Sequence, residues 1–175
     1  VYKRQPTQVG VESTVLDLSG QQPAILRPGA VTASAIEAVI GERVLTEQHH
    51  VGATEVPKAP GMKYKHYAPD AQVYIVDHRS DWPAALAWAG EQSIQMGVMA
   101  TDDILAENQL PVNCERFSLG LDVQSASREL FAGLRHFDTE TEIKDILCQA
   151  FDNKGLGAAY MNRLNKSAGQ THFSV

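Results

Sequence analysis

The sequence is poor in cysteine and has no excess of basic residues, and both deficits limit what the protein can do. Its two cysteines, Cys114 and Cys148, stand far apart and lack metal-ligand spacing, which predicts two reduced, structural thiols. Fifteen basic residues against twenty-one acidic ones give a formal net charge of −6. This balance argues against a broad surface for the phosphates of RNA or DNA.

Long apolar runs and a targeting signal are also missing. No stretch reaches the roughly 20 apolar residues that a membrane-spanning helix needs. No signal-peptide pattern opens the sequence, so a cytoplasmic protein without membrane contact is expected. Residues 1–5 carry no helix or strand signal and no initiator methionine. We interpret them as a non-native or artefactual start, with sequence missing upstream.

The stretch 59–69 (APGMKYKHYAP) is the most unusual part of the sequence, because it has neither helical nor strand periodicity. Its prolines fix φ and Gly61 permits a turn, so a stiff, extended connector is predicted. It concentrates lysines, tyrosines and a histidine in an otherwise acidic chain. This composition indicates a connector that lies across an anionic, partly planar ligand such as a nucleotide.

A first block, residues 7–45, precedes this connector. β-Branched and apolar residues predict strands at 13–18 and 24–26. Thr32 is a favourable N-cap and Gly41 a helix stop, so a helix is predicted between them. Two strands and one helix are too little for a good core, and we therefore interpret this block as the end of a larger domain.

A second block follows Pro69 and alternates strands with helices. The predicted strands are residues 73–76, 97–100, 115–119 and a segment within 143–151, and the predicted helices are residues 82–95, a helix capped by Asp122, and residues 157–168. This order predicts an α/β unit of three layers, with a small, mainly parallel sheet and helices on both of its faces.

Three features that suggest ligand sites are better explained by packing or solvent exposure. Residues 155–157 (GLG) open a helix after a strand, but Tyr160 stands where a dinucleotide turn has its third glycine, so close helix–strand packing is favoured. Residues 49–50 (HH) lack partners at ligand spacing and are interpreted as solvated loop histidines. Residues 102–103 (DD) fit a helix start or a loop.

The first block offers a stronger candidate site in Ser13, Thr14 and Arg27. The two hydroxyls stand at the start of a predicted strand, where they can hold phosphate or carboxylate oxygens. Arg27 ends the next strand before a rigid Pro-Gly turn, and its fork can meet a phosphate or carboxylate with two hydrogen bonds. The alternative is a strand-edge hydroxyl pair and a structural arginine, and spacing alone leaves both interpretations open.

Four motifs in this order resemble one enzyme family. They are residues 10–17 (GVESTVLD), 25–29 (ILRPG), 60–69 (PGMKYKHYAP) and 155–164 (GLGAAYMNRL). Together they resemble the two-domain form of threonylcarbamoyl-AMP synthase, the YrdC-type enzymes with an additional C-terminal domain. The resemblance covers nearly the whole chain from Pro6 onward.

This resemblance implies a reaction of L-threonine, bicarbonate and ATP that gives threonylcarbamoyl-AMP and pyrophosphate. Proteins of the tRNA-modification machinery would then transfer the threonylcarbamoyl group to an adenosine beside the anticodon. ATP with Mg²⁺ is expected as a substrate, and no tightly bound cofactor is expected. Because two anions must be brought together, catalysis would rest on positioning and charge neutralisation, and no residue is assigned as a catalytic acid or base.

The resemblance also implies which side chains bind nucleotide and threonine. These residues are Ser13, Thr14, Arg27, Lys63, His66 and Tyr67. His66 and Tyr67 match residues that close over the nucleotide, and Lys63 is a candidate phosphate contact. Two departures stand out, because Ala59 replaces a common serine and Lys65 replaces a common arginine. The second change keeps the charge but loses the two-pronged hydrogen bonding of arginine.

The same resemblance divides the chain. Residues 6–47 correspond to the end of a YrdC-type α/β catalytic domain, 48–70 to a linker, 71–169 to a Rossmann-like accessory domain and 170–175 to a tail. The N-terminal half of the catalytic domain, with its basic phosphate-binding motif, is absent, so the chain alone is expected to be inactive. The alternative is a non-catalytic lid, regulatory or docking module for nucleotide or the tRNA-modification machinery. The acidic residues of the second block argue against direct RNA docking.

Overall fold

The computed structural model describes residues 7–46, 68–139 and 142–174. The predictions for residues 1–5, for the histidines at 49–50, and for Lys63, His66 and Tyr67 lie outside these ranges. Within them the chain forms a small unit around a β-hairpin, which we call the hairpin unit, and an α/β unit built on a parallel sheet. No helix in the described ranges is long and apolar enough to span a bilayer.

The hairpin unit contains three elements. They are β1 (Val15–Asp17), β2 (Ala24–Arg27) and α1 (Ala33–Ile40), with β1 and β2 antiparallel. The predicted helix ends are confirmed, because the Ala35 N–H donates to Thr32 Oγ1 at 3.2 Å and the Gly41 N–H donates to the Glu37 carbonyl at 2.9 Å. Gly41 has the left-handed backbone, φ 72°, that a glycine adopts at low cost.

The hairpin unit leaves much of its apolar surface uncovered. No residue of α1 is buried. Large apolar side chains of the unit are exposed, namely Leu18, Val31, Val39, Ile40 and Leu45. Such a concentration of exposed apolar side chains on so small a unit is characteristic of a surface that packs against something else.

The α/β unit contains eight main elements. They are β3 (Gln72–Val76), α2 (Trp82–Glu91), β4 (Gln95–Ala100), α3 (Asp102–Glu107), β5 (Cys114–Ser118), α4 (Val123–Thr139), β6 (Ile143–Gln149) and α5 (Leu156–Ala168). The strands are all parallel in the order β3-β6-β4-β5. Helices α2 and α3 pack on one face and α4 and α5 on the other. The predicted parallel sheet with helices on both faces is therefore confirmed.

Each face of the sheet has its own apolar core. Leu130 and Leu134 of α4 pack with Leu164 of α5 against the first face, and Trp82 of α2 is buried against the second. Each such side chain contributes about 1.5–3 kcal/mol by leaving water. Cys148 lies within the first core, where burial raises the pKa of its thiol to about 12. Both cysteines are free thiols, as predicted.

The structure corrects two predicted boundaries and adds one helix. Helix α2 ends at Glu91 rather than near residue 95, because the Asn113 side-chain amide binds the carbonyls of Ala89, Gln92 and Ile94 at 2.9–3.2 Å and β4 begins directly afterwards. Helix α3 was anticipated only as a possible helix start. Residues 171–173, assigned to the tail, pair with β3, where Thr171 and Phe173 exchange backbone hydrogen bonds with Ile75 at 3.0 and 2.8 Å.

Candidate functional site

The structure brings Ser13, Thr14 and Arg27 together at the end of the hairpin unit. Arg27 is the last residue of β2, and its Nε donates to the Ser13 carbonyl at 3.1 Å. Val15, the first residue of β1, lies opposite Arg27 across the pair of strands. Ser13 is exposed beside this contact. The contact places the Arg27 guanidinium next to the backbone of Ser13, at the point where β1 and β2 meet.

Gly29 allows the two segments of this site to touch. A Cβ atom on Gly29 would lie 2.3 Å from Thr14 N and 2.7 Å from Thr14 Oγ1, so any larger residue would push the segments apart. The Thr14 hydroxyl donates to the Val31 carbonyl at 2.7 Å. Its proton is therefore already used, and toward a ligand this oxygen acts as a hydrogen-bond acceptor.

Two cavities flank the contact between these segments. The first, about 450 Å³, is lined by Glu12, Ser13, Thr14 and Ile36 among others. The second, about 460 Å³, is lined by Pro28, Gly29, Arg43 and Lys154 among others. Both volumes fall within the range of small-molecule sites. The second cavity lies between the hairpin unit and the loop that precedes α5.

A buried arginine from the α/β unit contacts the residues next to Ser13 and Arg27. Arg163 of α5 has a side chain that is 5% exposed, and its Nε donates to Glu12 Oε2 at 2.7 Å. Its Nη2 donates to the Glu12 carbonyl at 3.1 Å, and its Nη1 donates to the Pro28 carbonyl. Glu12 and Arg163 both lie within motifs of the sequence, but the sequence analysis assigned neither of them a role. The available signal was an arginine on the apolar side of a predicted helix.

Positive charges surround the Glu12 carboxylate. Burial raises the pKa of the Glu12 carboxyl, but the hydrogen bond and positive charge of Arg163 outweigh this, so the pKa lies below its ordinary value. Lys166 is half-buried one turn after Arg163, and burial followed by the charges of Arg163 and Arg27 lowers the pKa of its amine. The Glu12 carboxylate thus lies near the positive charges of Arg163, Arg27 and Lys166, in a chain whose net charge is −6.

Replacing Glu12 by alanine is expected to lower the free energy of unfolding by about 2 kcal/mol near pH 7, because a charge-assisted hydrogen bond is lost and Arg163 stays buried. Since the folded-state pKa is lowered, this stabilisation is present above the ordinary glutamate pKa and disappears as the pH falls through the folded value. Urea unfolding of the parent and the variant, near pH 7 and near pH 3, measures the difference. An equal difference at both pH values would contradict the assignment.

The adjacent acidic residues at 102–103 have a structural role. Asp102 and Asp103 begin α3, as expected. Hydrogen bonds from Thr101 and from Arg79 lower the pKa of Asp103 to about 2. No group of three or more His, Cys, Asp or Glu side chains in the described part of the chain could hold a metal ion.

A third cavity, about 410 Å³, opens at the carboxyl ends of β3 and β6, where open α/β sheets commonly bind ligands. Its lining includes Asp77, Asp152 and Asn165. Asp77 is paired with His172 Nδ1 at 2.8 Å, and Asn165 Oδ1 is buried with no hydrogen-bond partner among the described residues. Two carboxylates in this crevice make it unsuited to a phosphate group.

Comparison with known proteins assigns the chain to a family. The fold and the site define an α/β protein in which a parallel-sheet unit supports a cationic site on a neighbouring hairpin unit. Residues 31–169 match the family described as threonylcarbamoyl-AMP synthase, C-terminal domain. The chain belongs to this family.

Curated relatives carry the same name. The chain is similar to the threonylcarbamoyl-AMP synthase of Pyrococcus abyssi, with 39% identity over 93% of this chain and 47% of the relative. Similarity to the Bacillus subtilis protein is 36% over 94% of this chain and 47% of that protein. The chain thus spans about half the length of the curated relatives it matches.

Solved structures agree with the fold. The structure of P. abyssi Sua5 complexed with L-threonine is similar with a TM-score of 0.78 and 38% identity, covering 97% of this chain and 49% of that one. A P. abyssi Sua5 variant, in which adjacent histidine and tyrosine residues are replaced by alanine, is similar with a TM-score of 0.77 and 37% identity, covering 97% of this chain and 48% of that one.

Proposed function

We propose that this chain is the C-terminal half of a threonylcarbamoyl-AMP synthase. The reaction would convert L-threonine, bicarbonate and ATP to threonylcarbamoyl-AMP and pyrophosphate, in the cytoplasm, for threonylcarbamoyladenosine modification of tRNA. The observation that carries the proposal is the assembly of Ser13 and Arg27 into one cationic site, in a chain whose relatives bear this name. The exposed apolar face of the hairpin unit supports the assignment of residues 6–47 as the end of a catalytic domain.

The site supports catalysis by charge neutralisation and positioning. A carbamate formed from threonine must approach the α-phosphate of ATP, and both groups are negatively charged. We assign the Arg27 guanidinium and the Ser13 hydroxyl to oxyanions of these ligands, with the Thr14 oxygen accepting a hydrogen bond from the ligand. One similar protein was solved with L-threonine, which supports the amino-acid part of this assignment. Mg²⁺ would arrive with ATP.

The connector is proposed to close over the nucleotide. Residues 66–67 are the single adjacent His-Tyr pair in this sequence. A similar solved protein was made as a variant with such a pair replaced by alanine. We propose that His66 and Tyr67 correspond to that pair, that Lys63 contacts phosphate, and that residues 48–70 form the linker to an accessory domain at 71–169.

The test compares the full-length protein with this chain alone. We expect pyrophosphate release from ATP that depends on both L-threonine and bicarbonate in the full-length protein, and none from residues 1–175. Replacing His66 and Tyr67 together by alanine should reduce the full-length activity strongly, while the matched replacement of His49 and His50 should not. Threonine-dependent pyrophosphate release by the isolated chain would contradict the assignment of its first block as an incomplete site.

A second candidate function is a non-catalytic regulatory or docking module. The crevice at the carboxyl ends of β3 and β6 supports a ligand of its own for the α/β unit, since the Asn165 oxygen in its lining has no hydrogen-bond partner within the described ranges. Limited proteolysis within residues 58–65 separates the two functions. Protection by ATP plus L-threonine in the full-length protein supports the catalytic connector, and cleavage unchanged by both substrates supports the module.

A further inference from the structure

We propose that Arg163 is a positioning residue of the threonine and nucleotide site, through which the α/β unit fixes the spacing between Ser13 and Arg27. This inference rests on the proposed function. It assigns the α/β unit a direct part in substrate binding without requiring that unit to touch the substrate.

The guanidinium of Arg163 joins two segments that are separate in the sequence. Its Nε and Nη2 donate to the carboxylate and the carbonyl of Glu12, at 2.7 and 3.1 Å. Its Nη1 donates to the carbonyl of Pro28. Arginine suits this task because its donors point in fixed, coplanar directions, so that one side chain sets the distance between three acceptors.

The segments that Arg163 holds carry the candidate ligand-binding groups. Ser13 follows Glu12 directly, and Arg27 precedes Pro28 directly. Arg27 Nε contacts the Ser13 carbonyl at 3.1 Å. Arg163 therefore binds the residue next to each partner of this contact, Glu12 beside Ser13 and Pro28 beside Arg27. If the fork is lost, the segments can separate, and a ligand must order them when it binds.

The position of Arg163 makes it an effective anchor. Its side chain is 5% exposed and projects from α5, a thirteen-residue helix packed on the sheet and on α4. Because α5 is held rigidly on the sheet, Arg163 holds the hairpin unit at a fixed place relative to the sheet. Residues nearer the start of the described chain make a separate contact, since Gly10 lies against the backbone of Arg128 on α4.

A purely structural role and a positioning role predict different kinetics. If Arg163 only stabilised the fold, its loss would lower the fraction of active molecules and therefore kcat, and KM of the remaining molecules would not change. If Arg163 positions the site, every folded molecule binds threonine less well, and KM rises.

The experiment uses Arg163→Lys in the full-length protein. Lysine keeps the charge but cannot bridge Glu12 and Pro28 with a planar fork. We expect KM for L-threonine to rise about tenfold or more, since small displacements of binding groups have effects of this size. The matched control is Arg79→Lys, because Arg79 also bridges two residues, the carboxylates of Asp103 and Glu107, but on the exposed surface of the α/β unit. The KM of the Arg79→Lys variant for L-threonine should stay within about twofold of the parent value.

A second variant and a second measurement keep the outcomes distinct. If Arg163→Lys does not fold, Glu12→Asp shortens the same link and should raise KM in the same direction. An unchanged KM in the folded variant overturns the inference.

If the parent protein shows no threonine-dependent reaction, the proposed function fails, and amide hydrogen exchange then tests Arg163 alone. Faster exchange at residues 12–14 and 29–31 than in Arg79→Lys supports the link, and unchanged exchange overturns it.

Discussion

Gly29→Ala is expected to abolish threonine-dependent activity in the full-length protein, with a loss of about a hundredfold or more. The added Cβ would lie 2.3 Å from Thr14 N and 2.7 Å from the Ser13 carbonyl carbon, and both of these are backbone atoms that cannot rotate away. The segments carrying Ser13 and Arg27 would have to separate. The measurement is pyrophosphate release with saturating ATP across a range of L-threonine concentrations.

Gly20→Ala is the matched control for this prediction. Gly20 lies in the turn between β1 and β2, and its nearest neighbour for an added Cβ is the Gln22 carbonyl oxygen at 3.6 Å, an ordinary contact. Activity close to that of the parent is expected. Near-normal activity of Gly29→Ala would instead show that the packing of residue 29 on Thr14 is unimportant for the site.

Gly157→Ala is expected to reduce the free energy of unfolding of the α/β unit by about 3 kcal/mol, at the upper end of overpacking effects. A Cβ on Gly157 would lie 2.1 Å from the carbonyl oxygen of Asp152. That oxygen is held in place because it accepts the Lys154 N–H at 2.8 Å, while the Gly157 N–H donates to the Lys154 carbonyl at 2.9 Å. Urea unfolding followed by the fluorescence of the two tryptophans of α2, Trp82 and Trp88, gives the value.

Gly90→Ala tests whether the effect comes from the clash. Both glycines lie in helices, where alanine is intrinsically better by about 1 kcal/mol. At Gly90 the added Cβ would meet the Pro111 side chain at 3.3 Å, which a small adjustment relieves. A neutral or slightly stabilising effect is therefore expected. Equal destabilisation by both substitutions would rule out the Asp152 contact as the cause.

The features that the sequence predicted well are those decided by local chemistry. Thr32 and Gly41 mark the two ends of α1, as predicted, because helix capping depends only on a side chain and the backbone within one turn. Asp122 behaves in the same way, since its carboxylate accepts the Ser125 N–H at 2.8 Å. The alternation of apolar strands and amphipathic helices along the sequence was enough to predict the parallel sheet.

The features that the sequence could not reveal depend on distant residues. Helix α2 stops where Asn113, far along the chain, supplies hydrogen bonds to its last carbonyls. The link between Arg163 and Glu12 joins the two ends of the described chain, so neither helical periodicity nor motif spacing points to it. The neighbouring positions of Ser13 and Arg27 were predictable because they flank adjacent strands. Their proposed ligand contacts remain a prediction.

The place of β3 in the sheet constrains the order in which the protein can fold during synthesis. β3 is the first strand of its sheet to be made, yet it pairs with β6 on one side and with residues 171–173 on the other. Contacts over such long stretches of sequence close slowly. Until its partners emerge from the ribosome, β3 is an apolar strand with two unpaired edges. The nascent chain must therefore keep Val73 and Ile75 from wrong partners until β6 and residues 171–173 have been made.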